Sequence, residues 1–121
     1  MAFIPYYPLA SGMLTGKYRR GMDLPSDTRL TDGFMVTAEA RDRLFSDRTF
    51  ARLEALDKFA TDRGHSLLEL AIGWLLANPA VATVIAGAAK PGQAASNASA
   101  ANWRLSLDEA KQATQALLAA T

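Results

Sequence analysis

Two short segments of this sequence read as strands, and both have the makeup of strands that are covered on two faces. Residues 2–7, Ala-Phe-Ile-Pro-Tyr-Tyr, are rich in aromatic and β-branched types and stop at Pro8, while residues 82–86, Ala-Thr-Val-Ile-Ala, end in Gly87. Helical patterns lie between and after them. The order strand, loop, helices, strand, helices predicts parallel strands in a helix-rich α/β protein. Two strands cannot complete such a sheet, because parallel strands are buried by several neighbours and by helices on their faces. The sheet is therefore expected to be shared or unfinished within these 121 residues. Pro5 has to sit where the ladder needs no donor.

The segment from Leu9 to Gly16 predicts a tight or short helical turn, and Gly21 to Gly33 a polar loop containing Pro25. A loop of that length in a compact domain is more often functional than filler. A helix is predicted from Asp47 to Arg63, closed by Gly64, with Phe50, Leu53, Leu56, Phe59 and Ala60 on one face and charge on the other. A second runs from Ser66 to Ala77 and stops at Asn78 and Pro79. There Ser66 and Glu69 form a capping box, and the helix is apolar on most sides. Pro91 to Ala101 reads as a helix with Pro91 in its first turn. Leu107 to Ala120 follows, capped by Ser106, with Leu107, Ala110, Ala113, Ala116, Leu117 and Ala120 along one side.

Thirteen Lys and Arg against twelve Asp and Glu leave a formal charge of +1, so no overall field steers the chain to nucleic acid or an anionic membrane. Any anion site has to be local. With no cysteine, disulfides, thiolate metal sites and a cysteine nucleophile are excluded. The apolar stretches near Leu67–Leu76 and Val81–Ala89 are broken by Glu69, Asn78 and Pro79 and fall short of a membrane span. With no basic leader and an apolar core behind it, the N-terminus reads as cytoplasmic. His65 is the sole histidine and has no partners at ligand spacing, and Asp23, Asp27 and Asp32 lack the calcium-loop spacing, so no metal site is expected. Trp74 and Trp103 read as packing residues.

Three stretches together resemble the C-terminal part of the aldo-keto reductases, in the subgroup related to the potassium-channel β-subunits. They are YYPLASGMLTGKY from Tyr6 to Tyr18, SLLELAIGWLLANPAVATVIAGAAKPGQAASN from Ser66 to Asn97, and LSLDE from Leu105 to Glu109. The resemblance covers nearly the whole chain and is least specific between residues 33 and 47. It implies that residues 1–121 supply the last two strand–helix units, β7-α7-β8-α8, of a (β/α)8 TIM barrel, and do not form a complete domain. In such barrels phosphate sites often lie in the loops after strands seven and eight.

By the same resemblance, Tyr6 lies beneath a nicotinamide, and Pro8, Leu9, Ala10 and Ser11 with Lys17 line the pyrophosphate. Arg29 covers the cofactor, and Lys90, Gln93 and Asn97 surround the adenosine 2′-phosphate and adenine, favouring NADP. The local chemistry agrees, since Gly12, Gly16 and Gly87 permit close backbone approach, and the helix starting near Pro91 offers free amides. The bland alternatives are also open. Tyr6 and Tyr7 read equally as core and rim residues, Lys17 with Arg19 and Arg20 as a solvated basic patch, and Lys90-Pro91-Gly92 as a plain turn. Tyr7, Ala89 and Ser96 stand where the family pattern has a serine, a hydroxyl donor and an acidic residue.

The family reaction is hydride transfer to a carbonyl carbon, with Tyr, Lys, Asp and His on early strands. No residue of this chain matches those four, so no catalytic residue is assigned and the chain alone is expected to be inactive. The resemblance implies an NADPH-dependent oxidoreductase acting on a small carbonyl substrate, of which this chain supplies the cofactor-binding part. The alternatives are a non-catalytic half-barrel that binds a nucleotide or a partner, and a helical interaction protein. Unpaired strand edges predict self-association.

Overall fold

The computed structural model describes residues 1–26, 28, 30 and 37–120. Among them lie five α-helices: α1 (Ala38–Leu44), α2 (Asp47–Thr61), α3 (Leu67–Leu76), α4 (Pro91–Ala100) and α5 (Leu107–Ala119). A tight 3-10 segment, Ala10–Thr15, precedes them.

The two expected strands are not present as strands among the described residues. They are reduced to a single parallel bridge between Phe3 and Val81, made by the Phe3 amide donating to the Ala80 carbonyl at 2.9 Å and the Ala82 amide donating to the Phe3 carbonyl at 3.0 Å. The parallel direction agrees with the pattern; the extent does not. Pro5 has no N–H to continue the ladder, and Tyr7 has left the β region at φ 52°. Among the described residues no third segment pairs with this bridge, and Ile85 is 66% exposed where a core strand residue was expected.

Helices α2, α3 and α5 each start on a serine side-chain cap. Ser46 accepts from the Thr49 amide, Ser66 from Glu69 and Ser106 from Glu109, and in the last two the glutamate reaches back to the serine amide at 2.7 and 2.8 Å. Two otherwise orphaned donors are thereby satisfied at each start. α2 ends in a left-handed Gly64 at φ 76°, with the Gly64 amide donating to the Thr61 carbonyl and the His65 amide to the Ala60 carbonyl, so the helix stops short of Arg63. α1 lies in the stretch with no predicted element. Its seven residues bury no side chain, so there was no apolar period to read; only Thr37, which accepts from the Ala40 amide, marks its start.

Helices α2 and α3 carry two apolar clusters. In the first, Leu53 and Leu67 pack with Met13, Tyr18 and Leu30; in the second, Phe59, Ala60 and Leu70 pack with Leu105 and Ala113. Each large side chain so buried contributes about 1.5–3 kcal/mol. The predicted α2 face is the buried one. On α5, Ala113 is buried but Leu107 faces outward.

The capping boxes tie stability to pH. The Ser66 amide foremost, then His65, holds the Glu69 carboxyl below its ordinary 4.5, and the Ser106 amide does the same for Glu109. A carboxyl depressed in the native state stabilises above its unfolded value and loses that contribution as pH falls through its lower native value. The melting temperature is therefore expected to fall below about pH 5. The Glu69→Gln/Glu109→Gln variant should show a shallower fall; an acid limb superimposable on the parent's would refute this origin.

Candidate functional site

The first predicted arm, residues 6–17, is a chain of left-handed residues. Tyr7, Ala10 and Ser11 have φ of 52°, 48° and 57°, and Gly12 and Gly16 have 93° and 82°. Each non-glycine residue in that region costs on the order of 1–2 kcal/mol, so something must hold the turn. Its own hydrogen bonds do part of this. The Ala10 amide donates to the Tyr7 carbonyl, the Gly12 amide to the Leu9 carbonyl at 2.9 Å, and the Thr15 hydroxyl to the Gly12 carbonyl at 2.7 Å. Burial of Met13 and Tyr18 on either side of Gly16 does the rest.

Gly12 is favoured by its φ of 93°, and the space a Cβ would take there is occupied only by the flexible end of Lys17. A Cβ there would stand 2.7 Å from Lys17 Cε and 2.8 Å from Lys17 Nζ, so the lysine side chain lies folded back across the glycine backbone. Lys17 Nζ also sits 5.2 Å from the Tyr18 ring centroid. Pro8, Leu9, Ala10, Ser11 and Gly12 are half-buried beneath this turn, while Lys17 is exposed. Tyr6 is 87% exposed, edge-on to Tyr7 at 4.4 Å between ring centroids. Its phenol titrates above the ordinary value, first through hydrogen bonding with the Tyr7 side chain and then through repulsion.

The second arm, residues 87–97, is organised by two side chains of α4. Gln93 Oε1 accepts from the Ala89 amide at 2.7 Å and the Lys90 amide at 3.1 Å, and Asn97 Nδ2 donates to the Gly87 carbonyl at 3.3 Å. Gly87, Lys90, Gln93 and Asn97 are thus brought together at the start of α4, with Lys90 as its N-cap and exposed. Two amides that point toward solvent at this helix start already donate to Gln93. Arg29 lies outside the described residues.

Both arms rest on α3, which packs against the Ala10–Thr15 segment and against α4, and the Phe3–Val81 bridge links the chain just before each. An open groove of about 520 Å³ between α3 and α5, lined by Trp74, Pro79, Leu107 and Lys111 among others, shares no residue with either arm. Trp74, expected as a packing residue, is instead 44% exposed along this groove, held by its indole N–H donating to the Ala110 carbonyl and the Thr114 hydroxyl. Among the described residues no group of three or more His, Asp or Glu is placed to hold a metal ion, and no helix is long and apolar enough to cross a membrane.

Two features escaped the sequence reading. Arg19 and Arg20 are exposed, as a solvated basic patch would be, but each is committed to acidic partners on α2. Arg19 pairs with Asp57 at 2.6 Å, and Arg20 pairs with Asp47 at 2.6 Å and Glu54 at 3.0 Å. The signal was present in α2, where residues 47, 54 and 57 fall on one helical face. The second is His65, whose ring stacks on Trp103 at 3.9 Å and 6° while Nδ1 meets Glu69 at 3.1 Å, fastening the α2–α3 junction to the segment before α5.

A sequence model of the aldo/keto reductase family matches residues 1–117. Among curated proteins, the chain is 41% identical over 91 residues to a probable voltage-gated potassium channel subunit beta of Oryza sativa subsp. japonica, covering 74% of this chain and 26% of that protein. It is 32% identical over 99 residues to the L-glyceraldehyde 3-phosphate reductase of Escherichia coli strain K12, covering 82% and 28%. Against an uncharacterized oxidoreductase of Bacillus subtilis strain 168 it is 36% identical over 108 residues, covering 89% and 31%. The chain thus spans under a third of the length of each.

Proposed function

The chain belongs to the aldo/keto reductase family, and on that premise we propose that it carries the cofactor-facing part of an NADPH-dependent reductase of small carbonyl compounds. In this reading residues 1–121 correspond to the last two strand–helix units of a TIM barrel, and the Phe3–Val81 bridge is what two of its parallel strands retain without neighbours. The family match over residues 1–117 carries the proposal. Kinship with reductases supports the reaction class, and kinship with channel β-subunits supports the subgroup.

The residues fit a dinucleotide diphosphate on one point in particular. The space above Gly12 that a Cβ would fill is crossed by the Lys17 side chain, which sets a cation beside a backbone that can approach an anion closely. Lys90 at the start of α4 is the corresponding cation for a 2′-phosphate, and the free end of the helix dipole favours negative charge there. Gln93 orders this loop through the Ala89 and Lys90 amides, so its role toward adenine is through the loop's shape. Bound NADPH supplies the hydride. The proton for the carbonyl oxygen has to come from a donor within hydrogen-bond reach, and we assign none in this chain.

A cytoplasmic setting is part of this proposal. The isolated chain is expected to self-associate, since Phe3, Ile4, Tyr6 and Ile85 are exposed beside the unfinished bridge.

NADPH fluorescence titration of the purified chain tests the reading, with sedimentation of the same sample giving its assembly state. Lys17→Ala and Lys90→Ala should each weaken NADPH about tenfold, the loss of one charge-assisted contact. Only Lys90→Ala should erase a preference for NADPH over NADH. No binding up to about 1 mM nucleotide sinks the proposal. Binding without aldehyde-dependent NADPH oxidation leaves the chain as a nucleotide-holding unit.

A further inference from the structure

We propose that Arg20 is a positioning residue for the phosphate-facing turn, fastening residues 10–18 to α2 through Asp47 and Glu54 and thereby setting where Lys17 stands. The inference rests on the nucleotide reading above for its function, and on contacts of the chain itself for its mechanism.

Three successive residues after Lys17 face inward or sideways. Tyr18 is 4% exposed, packed with Met13, Leu30, Leu53 and Leu67, and its ring meets Phe45 edge-on at 5.4 Å. Arg19 Nη1 reaches Asp57 at 2.6 Å. Arg20 uses the whole guanidinium: Nη1 donates to Asp47 Oδ1 at 2.6 Å, Nη2 to the Asp47 carbonyl at 3.1 Å and Nε to Glu54 Oε1 at 3.0 Å, with its carbon 5.8 Å from the Phe50 ring centroid. The Glu54 hydrogen bond foremost raises the guanidinium's affinity for its proton.

A single exposed ion pair holds little. This is a fork on two carboxylates and a carbonyl, and it spans two turns of one helix, so it fixes direction as well as distance. The consequence falls on the other side of Tyr18. That residue is a buried pivot, so the backbone leaving it toward Arg20 and the backbone entering it from Lys17 share one anchor. Left-handed strain in Ala10 and Ser11 gives the turn a reason to relax if the anchor loosens.

The test is hydrogen exchange of the chain without nucleotide, read peptide by peptide, with NADPH titration of the same samples. Arg20→Ala and the milder Glu54→Gln should speed exchange at residues 10–18, about tenfold for the former, while α3 and α5 exchange as in the parent. Both should weaken NADPH, whereas Arg20→Lys, which keeps the charge without the fork, should recover only part of either effect. Lys58→Ala, which breaks the exposed pair with Asp62 at 2.6 Å, should do neither. Unchanged exchange at residues 10–18 in both variants overturns the inference, as does acceleration spread evenly over α2, α3 and α5, which marks a merely structural pair. If the parent chain binds no NADPH, the nucleotide reading fails and the exchange arm still decides the positioning role.

Discussion

Replacing Gly73 with alanine is expected to destabilise the fold by about 1–3 kcal/mol, although the same change in an exposed helix stabilises by nearly 1 kcal/mol. The sign reverses because Gly73 is buried in α3 with the chain before α5 laid directly on it. A Cβ there would stand 2.5 Å from Leu105 Cδ1 and 2.8 Å from the Trp103 carbonyl oxygen. The leucine can turn away; the backbone carbonyl cannot without moving Trp103, which is stacked on His65. Thermal or urea unfolding of Gly73→Ala and of Gly73→Ala/Leu105→Ala separates the two obstacles. The double variant should recover nothing of the loss caused by the carbonyl. A Gly73→Ala chain as stable as the parent would show that this approach is not enforced in solution.

Tyr18 should show the largest contrast between two substitutions at one site. Tyr18→Ala is expected to cost about 3–5 kcal/mol, the range for emptying a buried aromatic site, since the ring is the meeting point of Met13, Leu30, Leu53 and Leu67. Tyr18→Phe is expected to gain about 1 kcal/mol, because the buried hydroxyl has no hydrogen-bond partner among the described residues. Urea unfolding checks both. A loss of more than about 1 kcal/mol in Tyr18→Phe would mean that the hydroxyl is bonded in solution. The pair also bears on the proposed nucleotide site, for Tyr18→Ala should release Lys17 and Arg19 together, whereas Tyr18→Phe should leave any NADPH affinity as it is.

Much of the helical framework was legible from residue types. Ser66 with Glu69, Ser106 before Leu107, Gly64 and Pro91 are local signals, and each marks a helix end in the structure. The buried face of α2 followed from spacing in the same way. The strands were legible only in direction. A β-branched run says that a segment suits a pleated, covered surface, and whether it becomes a strand depends on neighbours that residues 2–7 and 82–86 do not carry themselves. Kinship was legible too, since the three quoted motifs pointed to the family whose model matches residues 1–117.

What only the tertiary structure decided lies in contacts between residues far apart in the chain. A run of Lys17, Tyr18, Arg19 and Arg20 has one composition but three fates. The tyrosine enters the core, the arginines are taken up by Asp57, Asp47 and Glu54, and the lysine folds back over Gly12. Gln93 and Asn97 read as ligand contacts and are engaged in shaping the loop before α4. By itself the sequence determined where helices start and stop, because caps, glycines and apolar periods act within a turn or two of chain. Which polar group meets which was decided by packing, because ion pairs and close approaches depend on the positions of elements that the local sequence does not specify.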